Sequence, residues 1–253
     1  MDLGAYDHYL YALVALVGTI LAAWFLLWMT LRSPWAAEIK TYRGVSPPFL
    51  GVVGVLFALT LAFLANDTWN AHDRALNTVY QEADGLRSIT ALAVHLPGPA
   101  RGAVQGAVRT YATVTVDEEW PLLARRLSSQ TASDQLDRLL ELLAGNEVAA
   151  TAPPAVHALM LTQAAQVRTA RAQRIALSRT HVNPLKWLGM AGLGFLTMIS
   201  IAMVHVDQAR AEILAVAIFA AAAAPTAAIV LVQGNPFQPP TVVTSAPIRA
   251  LLP

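Results

Sequence analysis

The residue types that usually carry out chemistry are scarce or unsuitably spaced in this chain. It contains no cysteine, which excludes thiol nucleophiles, disulfides, cysteine-ligated zinc and iron–sulfur clusters. Its six histidines form no His-x-x-x-His or Glu-x-x-His pair, the spacings with which a helix holds a metal ion. Phosphate-binding loops, dinucleotide-binding motifs and nucleophile elbows are also missing. We therefore expect no enzymatic activity, no metal site and no cofactor.

A line of polar residues points to a different kind of chemistry, the passage of ions. Asn66, Asn70, Asp73 and Asn77 recur at the spacing of one helix face, immediately after an apolar stretch. The first three of them could form the water-filled mouth of a pore. The same spacing also fits the solvated side of a helix that leaves a membrane, and the sequence leaves both interpretations open.

A basic stretch follows later in the chain. Arg168, Arg171 and Arg174 lie in a region where no acidic residue occurs between Glu147 and Asp207. These arginines could form a rim that raises the local concentration of anions at a pore mouth. They could equally anchor the protein to anionic lipid headgroups.

The apolar stretch before Asn66 has two predicted faces. Small residues recur on one face, which is typical of close helix packing; they are Gly51, Gly54, Ala58, Ala62 and Ala65. Val53, Phe57 and Leu61 lie on another face. Around the axis of an oligomer, these three side chains would form a hydrophobic pore constriction that closes by excluding water. The alternative is that they contact lipid or the protein core.

Composition places these residues in a membrane protein. Of the 253 residues, 56% are hydrophobic and 13% are charged, whereas a soluble globular domain carries roughly 25% charged residues. The net charge of +1 gives no global attraction to nucleic acid. These values exclude a soluble enzyme, a disordered chain and a nucleic-acid-binding protein.

Four segments without Asp, Glu, Lys or Arg have about the 20 residues that a membrane-spanning helix needs. They predict transmembrane helices at residues 9–31, 47–66, 187–206 and 213–233. Most charged residues fall in the insertion at 67–183, and a tail follows at 234–253. The predicted fold class is an all-α membrane protein, with two pairs of transmembrane helices and a helical-bundle extramembrane insertion between the second and the third.

The insertion has helical periodicity throughout. Because no breaker follows the second transmembrane segment, its helix is predicted to continue to about residue 96. Further helices are predicted at Arg101–Glu118, at Ser133–Ala144 and from Pro154 toward His181. Gly145–Ala152 is predicted to be a loop.

Basic residues near the spans predict the orientation. With the insertion in the cytoplasm, seven of them lie on the inside, namely Arg74, Arg168, Arg171, Arg174, Arg179, Lys186 and Arg249. Four lie outside, namely Arg32, Lys40, Arg43 and Arg210. The abundance of Arg over Lys and of Ala is typical of a high-GC bacterium. We therefore expect a bacterial inner-membrane protein with its helical domain and both termini in the cytoplasm.

Short motifs occur one after another, in a characteristic order, along nearly the whole chain. They are Gly54–Leu59 with Asn66 and Trp69, Glu82-Ala83, Leu96-Pro97, Tyr111, Glu119–Leu122, Arg171 with Arg174, Asn183–Trp187 and Asn235–Phe237. Their order and spacing resemble the bestrophin-like domain of unknown function, a family of four-span membrane proteins from bacteria and plants. The family distantly resembles the bestrophin anion channels.

Bestrophins are pentamers whose second transmembrane helix lines a narrow aromatic neck. The resemblance therefore implies a homo-oligomer, a pentamer, and would place Phe57 near such a neck. This chain has one Phe where that neck is rich in aromatic residues, and its Asp117–Glu119 run does not match the bestrophin calcium clasp. Calcium gating is therefore not expected.

Two functions follow from these observations. The first is a homo-oligomeric membrane ion channel that conducts anions such as chloride, with its hydrophobic neck on the second transmembrane helix. Its partners would be the lipid bilayer, further copies of the chain and small inorganic ions. The second is a non-conducting scaffold or sensor whose helical domain docks a partner protein.

Overall fold

The computed structural model describes residues 7–42, 44, 47–180 and 183–252. Arg43 and His181, which entered the predictions of orientation and of a helix end, lie outside the described residues. Pro253 of the predicted tail does so as well. Among the described residues every regular element is helical, so the predicted all-α fold class is confirmed.

The helices follow one another in a simple order. They are α1 (Asp7–Leu31), α2 (Ala36–Ile39), α3 (Pro47–Leu92), α4 (Gly98–Val114), α5 (Trp120–Leu123), α6 (Gln130–Ala144), α7 (Asn146–Thr151), α8 (Pro154–Ser178), α9 (Pro184–Val204), α10 (Ala209–Val232) and α11 (Ala246–Arg249). A π-helical turn at Thr115–Glu119 joins α4 to α5, and 3-10 turns lie at Lys40–Tyr42 and Ala93–His95.

Four of the helices, α1, α3, α9 and α10, are long and apolar enough to cross a membrane, and the chain is a membrane protein. The longest is α3, with 46 residues, which corresponds to roughly 69 Å at 1.5 Å per residue. It begins with two prolines, which the first turn of a helix tolerates. The helical path ends at Leu96, whose extended backbone is the conformation that the following Pro97 favours.

The described residues form two compact units. The membrane unit comprises residues 7–69 and 183–234, and the helical unit comprises residues 70–180 and 235–252. The helix α3 contributes its first part to the membrane unit and its second part to the helical unit.

In the membrane unit, α1 packs against α9 and α10. The apolar clusters of this unit also include side chains of α3; their members include Leu26, Phe57, Leu64, Met190, Met198, Val216 and Val230. In α10, the small residues Ala224, Ala227 and Ala228 are buried, which allows neighbouring helices to approach closely.

The core of the helical unit is one cluster of apolar side chains from α3, α4, α6 and α8. Its fully buried members include Val79, Leu86, Ile89, Val104, Leu139, Met160 and Val167. In α6, Leu136, Leu139 and Leu143 recur every three or four residues and bury one face of the helix. Ser129 caps this helix, because its hydroxyl accepts the backbone N–H of Ala132 at 3.1 Å.

The segment at 145–152, predicted to be a loop, contains the short helix α7, so that prediction is wrong. Val148 is fully buried in the core of the helical unit. Burial of this one side chain stabilises a short helix that the local sequence does not predict. Tertiary packing here outweighs the weak helix propensity of the segment.

The C-terminal residues after α10 belong to the helical unit and pack against its other segments. The side-chain amide of Asn235 donates to the carbonyl oxygen of Leu123 at 3.3 Å. The Phe237 ring meets the Trp120 ring edge-on at 5.7 Å between centroids, and the Trp120 indole N–H donates to the Val243 carbonyl at 3.2 Å. Ile248 is fully buried, so this segment belongs to the core.

The helices α3 and α8 approach closely at Gly85. A Cβ atom at this position would lie 2.6 Å from Cγ2 of Val167 and 3.3 Å from the carbonyl oxygen of Gln163. A residue without a side chain is therefore required for this contact.

We expect Gly85→Ala to lower the free energy of unfolding by about 1–3 kcal/mol, because the added methyl group overpacks the contact. The matched control is Gly106→Ala in α4, where an added Cβ has no neighbour within 4 Å. Helix propensity predicts unchanged or slightly higher stability for the control. Thermal unfolding followed by circular dichroism compares the two variants, and equal losses would contradict the close approach.

Candidate functional site

The membrane-spanning part of α3 has an interior face that packs within the membrane unit. Phe57 is only 9% exposed, and the centroid of its ring lies 5.6 Å from the centroid of the Phe219 ring on α10. A Cβ atom at Gly194 of α9 would lie 3.1 Å from Cε2 of Phe57. Val53 and Leu61 are half-buried on the same side. These contacts belong to one chain.

The opposite side of α3 is an exposed face. It consists of large apolar side chains that remain 50–68% exposed, namely Val52, Val55, Leu59 and Phe63. Asn66, Asn70 and Asp73 are exposed as well. An α-helix has 3.6 residues per turn, so Leu59 and Asn66, seven residues apart, share this face.

The predicted constriction and the predicted pore mouth do not lie on one face. Phe57 and Asn66 are nine residues apart, which places them about 180° apart around the helix axis. Phe57 points toward α9 and α10 of its own chain, so it does not project toward an oligomer axis on the side of Asn66. If α3 lines a pore on its polar side, the apolar residues that face it are Val55 and Leu59.

A buried charge cluster lies in the helical unit and is defined here as Glu82, Tyr111, Glu119, Arg171 and Arg174. Glu82 comes from α3, Tyr111 from α4 and Glu119 from the end of the π turn, while both arginines lie on α8. Glu82, Tyr111, Glu119 and Arg174 are fully buried, and Arg171 is 8% exposed.

Arg174 joins the two carboxylates of this cluster. Its Nε donates to Glu82 Oε2 at 2.7 Å, and its Nη2 donates to Glu82 Oε1 at 3.0 Å and to Glu119 Oε2 at 2.8 Å. The Tyr111 hydroxyl donates to Glu82 Oε1 at 2.6 Å. The guanidinium carbon of Arg174 also lies 5.0 Å from the centroid of the Trp120 ring. These partners compensate the loss of water around a buried charge.

Arg171 forms the second ion pair, with Glu119. Its Nη2 donates to Glu119 Oε1 at 2.6 Å, and its Nε donates to Glu119 Oε2 at 3.1 Å. The same Nη2 reaches the Ser129 carbonyl and the Ser133 hydroxyl, each at 3.0 Å. The backbone N–H of Ser129 in turn donates to Glu119 Oε1 at 3.2 Å. The start of α6 is thereby attached to the cluster.

The predicted basic rim of Arg168, Arg171 and Arg174 is not formed as expected. Only Arg168 is exposed. The charges of Arg171 and Arg174 are neutralised by Glu82 and Glu119, which lie far away in sequence. Two buried and paired guanidinium groups do not provide a surface that attracts anions.

The pKa values follow from this arrangement. Burial alone would raise the pKa of the Glu119 carboxyl, but the charges of Arg174 and Arg171 hold it below its ordinary value. Burial raises the pKa of the Tyr111 hydroxyl, and the charge of Glu82 raises it further. Although burial lowers the pKa of Arg174, Glu82 and Glu119 raise it overall. Glu119 and Arg174 are therefore charged at neutral pH, and Tyr111 is neutral.

Sequence reasoning did not find the pairing of Glu82 and Glu119 with the arginines. Both glutamates lie in the motifs that resemble the bestrophin-like domain, and the presence of Arg171 and Arg174 in the same set of motifs is the available signal. It also missed Glu212, which lies one residue before the last charge-free segment. Glu212 is fully buried in the first turn of α10, where its carboxylate accepts a hydrogen bond from the Thr30 hydroxyl of α1.

Within the described part of the chain, no group of three or more His, Asp or Glu side chains is arranged to hold a metal ion. The geometry therefore offers two features: an exposed face on α3 that changes from apolar to polar, and a neutral, buried charge cluster that holds the helical unit together.

Comparison with known proteins finds a matching family model and solved structures with a similar fold. The model of the bestrophin-like domain matches residues 17–248. A crystal structure of a bacterial bestrophin homologue from Klebsiella pneumoniae is similar with a TM-score of 0.67 at 14% identity, covering 94% of this chain and 95% of that chain. Another crystal structure of a Klebsiella pneumoniae homologue gives 0.64 at 13% identity, covering 96% and 95%. A search of curated protein sequences finds no match.

We expect Glu119→Gln to lower the free energy of unfolding by about 3–5 kcal/mol, because it leaves Arg171 and Arg174 buried with one carboxylate fewer. The control is Asp84→Asn, which removes the 2.9 Å ion pair with Arg87 on the exposed side of α3. A surface pair contributes about 0–1 kcal/mol. Chemical unfolding measures both variants, and similar losses would show that burial does not strengthen the cluster.

The lowered pKa of Glu119 also predicts a pH dependence. Its contribution to stability is complete above the ordinary value of 4.5 and is lost as the pH falls through the lower pKa of the folded state. At pH values below about 4.5, we expect the melting temperature of the wild-type protein to decrease. The decrease should be smaller in Glu119→Gln. Melting curves from pH 7 to pH 3 measure this difference. Parallel curves for the two proteins would exclude Glu119 as the titrating group.

Proposed function

The chain belongs to the bestrophin-like family, and from this premise we propose that it forms a homo-oligomeric ion channel that conducts anions such as chloride. The resemblance predicted from the motifs is confirmed. The pore would run along the oligomer axis, lined by one α3 helix from each subunit. A closed cyclic ring of subunits suits such a pathway, and the family resemblance points to five.

The observation that carries the proposal is the exposed face of α3. A pore-lining helix presents apolar side chains at a dry neck and polar side chains at the wet mouth, on one side. Here the apolar side chains Val55 and Leu59 are followed on the same side of the helix by Asn66 and Asn70, about two and three turns after Leu59. A ring of Leu59 side chains would form a dry constriction, and the asparagines would form the water-filled mouth beside it.

The chemistry of this mouth is compatible with an anion. Asn66 and Asn70 each carry an amide N–H₂ group that can donate to a halide without a net charge that would hold it too tightly. Asp67, on the neighbouring side of the helix, is paired with Lys186 at 2.8 Å, which reduces its field. Asp73 is the acid that remains on the polar face, and it lies about two turns beyond Asn66.

The location proposed for the protein is the inner membrane of a bacterium, with the helical unit and both termini in the cytoplasm. The larger number of basic residues on the side of the helical unit supports this orientation.

A matched pair of leucines tests which face of α3 lines the pathway. We expect Leu59→Ala to raise halide flux into proteoliposomes severalfold, because it widens and wets the constriction. Leu61→Ala should leave the flux close to that of wild type, since Leu61 is half-buried on the interior face. The two residues have the same size and lie two positions apart. Halide flux into empty liposomes gives the background without protein. Potassium flux, compared with halide flux, measures the ion selectivity.

The absence of native cysteine makes the oligomer directly testable. Leu59→Cys is expected to form disulfides between subunits, whereas Leu61→Cys is not. If only Leu61→Ala raised the halide flux, the constriction would lie on the interior face of α3 and not on its exposed face. No flux from folded and inserted protein, with no crosslinking at Leu59→Cys, would reject the channel and favour a scaffold or sensor whose helical unit docks a partner protein.

A further inference from the structure

The membrane unit contains an apolar groove with a volume of about 460 Å³. Its walls come from α1, α9 and α10, and the side chain of Phe57 from α3 closes its floor. The floor is buried, with Met198 2% exposed and Phe57 9% exposed. The walls are open, with Val14 57% exposed and Leu188 70% exposed. The groove therefore opens on an exposed apolar surface of the membrane unit and narrows toward the protein interior.

The groove is open because small residues stand where large side chains would fill it. An added Cβ at Gly18 of α1, which lines the groove, meets no atom within 4 Å. Alanines at 15, 22, 191, 223 and 227 also line the groove, beside larger apolar side chains such as Phe195 and Phe219. Protein interiors are normally packed to the density of organic crystals, so an empty space of this size would lose many dispersion contacts.

The polar groups of the groove lie at one end. Thr19 has a hydroxyl, but it already donates to the carbonyl of Ala15 at 2.7 Å. The remaining polar side-chain groups among the lining residues are the Tyr11 hydroxyl and the Trp187 indole N–H. Tyr11 lies near the start of α1 and Trp187 near the start of α9. Tyr and Trp are the residues enriched at the membrane–water interface, where they contact headgroups and acyl chains together.

The length of the groove corresponds to one leaflet. On α1 the lining runs from Tyr11 to Ala22, and on α9 it runs from Trp187 to Met198. Each of these stretches covers about 16 Å at 1.5 Å per residue. Half of a hydrocarbon core of roughly 30 Å has nearly the same length.

We infer that this groove is a lipid-binding site that holds one acyl chain of a bilayer phospholipid. Water does not fill it, because an apolar cavity offers no hydrogen-bond partners and stays dry. The bilayer supplies hydrocarbon directly at the open walls. The chain enters at the interface between Tyr11 and Trp187, and its methyl end reaches Met198. The lipid belongs to the leaflet on the side where α1 and α9 begin.

Photocrosslinking of the full-length protein in liposomes tests this inference. The probe is phosphatidylcholine with a diazirine either near the ester or near the end of one acyl chain, and mass spectrometry locates the adducts. We expect the near-ester probe to label Trp187 and the chain-end probe to label Met198 and Phe57. Because these last two residues line the groove and are otherwise buried, lipid that stays outside the groove does not reach them.

A groove-filling variant and a matched control sharpen the test. Gly18→Leu places its side chain in the groove and is expected to lower floor adducts roughly tenfold or more, since each displaced methylene changes occupancy roughly fourfold. Gly192→Leu on α9, where an added Cβ also meets nothing within 4 Å and which does not line the groove, should leave them unchanged. Melting temperatures verify that both variants are folded.

Three outcomes would overturn the inference. Labelling of Val14 and Leu188 without labelling of the floor would mean that lipid only surrounds the protein. Floor adducts that persist in Gly18→Leu would place the chain elsewhere. Disulfides between two copies of a Gly18→Cys variant, with no floor adducts in wild type, would show that a second copy covers the groove. None of these outcomes depends on whether the protein conducts ions.

Discussion

A guanidinium group without exposed surface has to find all its partners inside the protein, and in this chain that constraint falls on Arg174. Its carboxylate partners, Glu82 and Glu119, belong to two other segments, so α3, the π turn and α8 are joined at one point. The five-residue π turn ends at Glu119 and precedes Trp120, and both side chains contact Arg174. Through Trp120 the same cluster also fixes the C-terminal segment, by the hydrogen bond to Val243 and the edge-on contact with Phe237.

The helix α3 has a buried side within each of the two units. In the helical unit, Glu82 of α3 is buried in the charge cluster. In the membrane unit, Phe57 of α3 is buried against Phe219. The side of α3 opposite Phe57, with Leu59 and Asn66, is left for contacts outside the chain. A pore at an oligomer axis is the use of that side which we propose.

The two units are stabilised by different physics. In the helical unit, large apolar side chains fill the core, and the buried charges are matched by carboxylates and hydrogen bonds. In the membrane unit, small residues let helices approach, and burial from water gives no driving force because lipid is as apolar as the side chains. A membrane protein can therefore leave a groove between its helices, provided that a lipid chain fills it. Glu212, which is buried against Thr30, is a costly acidic group within this apolar unit.

The sequence by itself determined the fold class and the membrane location, because charge-free stretches of about 20 residues admit few structures other than spanning helices. It also identified the family from a set of motifs, and some of their residues, namely Glu82, Tyr111, Glu119, Arg171 and Arg174, meet in the buried charge cluster. It did not determine which side of α3 faces the interior, although helical spacing alone separates Phe57 from Asn66 by half a turn.

Only the tertiary structure decided that Arg171 and Arg174 are buried, that residues 145–152 contain a helix and that the C-terminal segment is part of the core. The reason is the same in each case. A local pattern records the period of a helix, whereas burial and charge pairing depend on partners more than 30 residues away, such as Glu82 for Arg174 and Trp120 for Phe237. Those partners become neighbours only when the chain has folded.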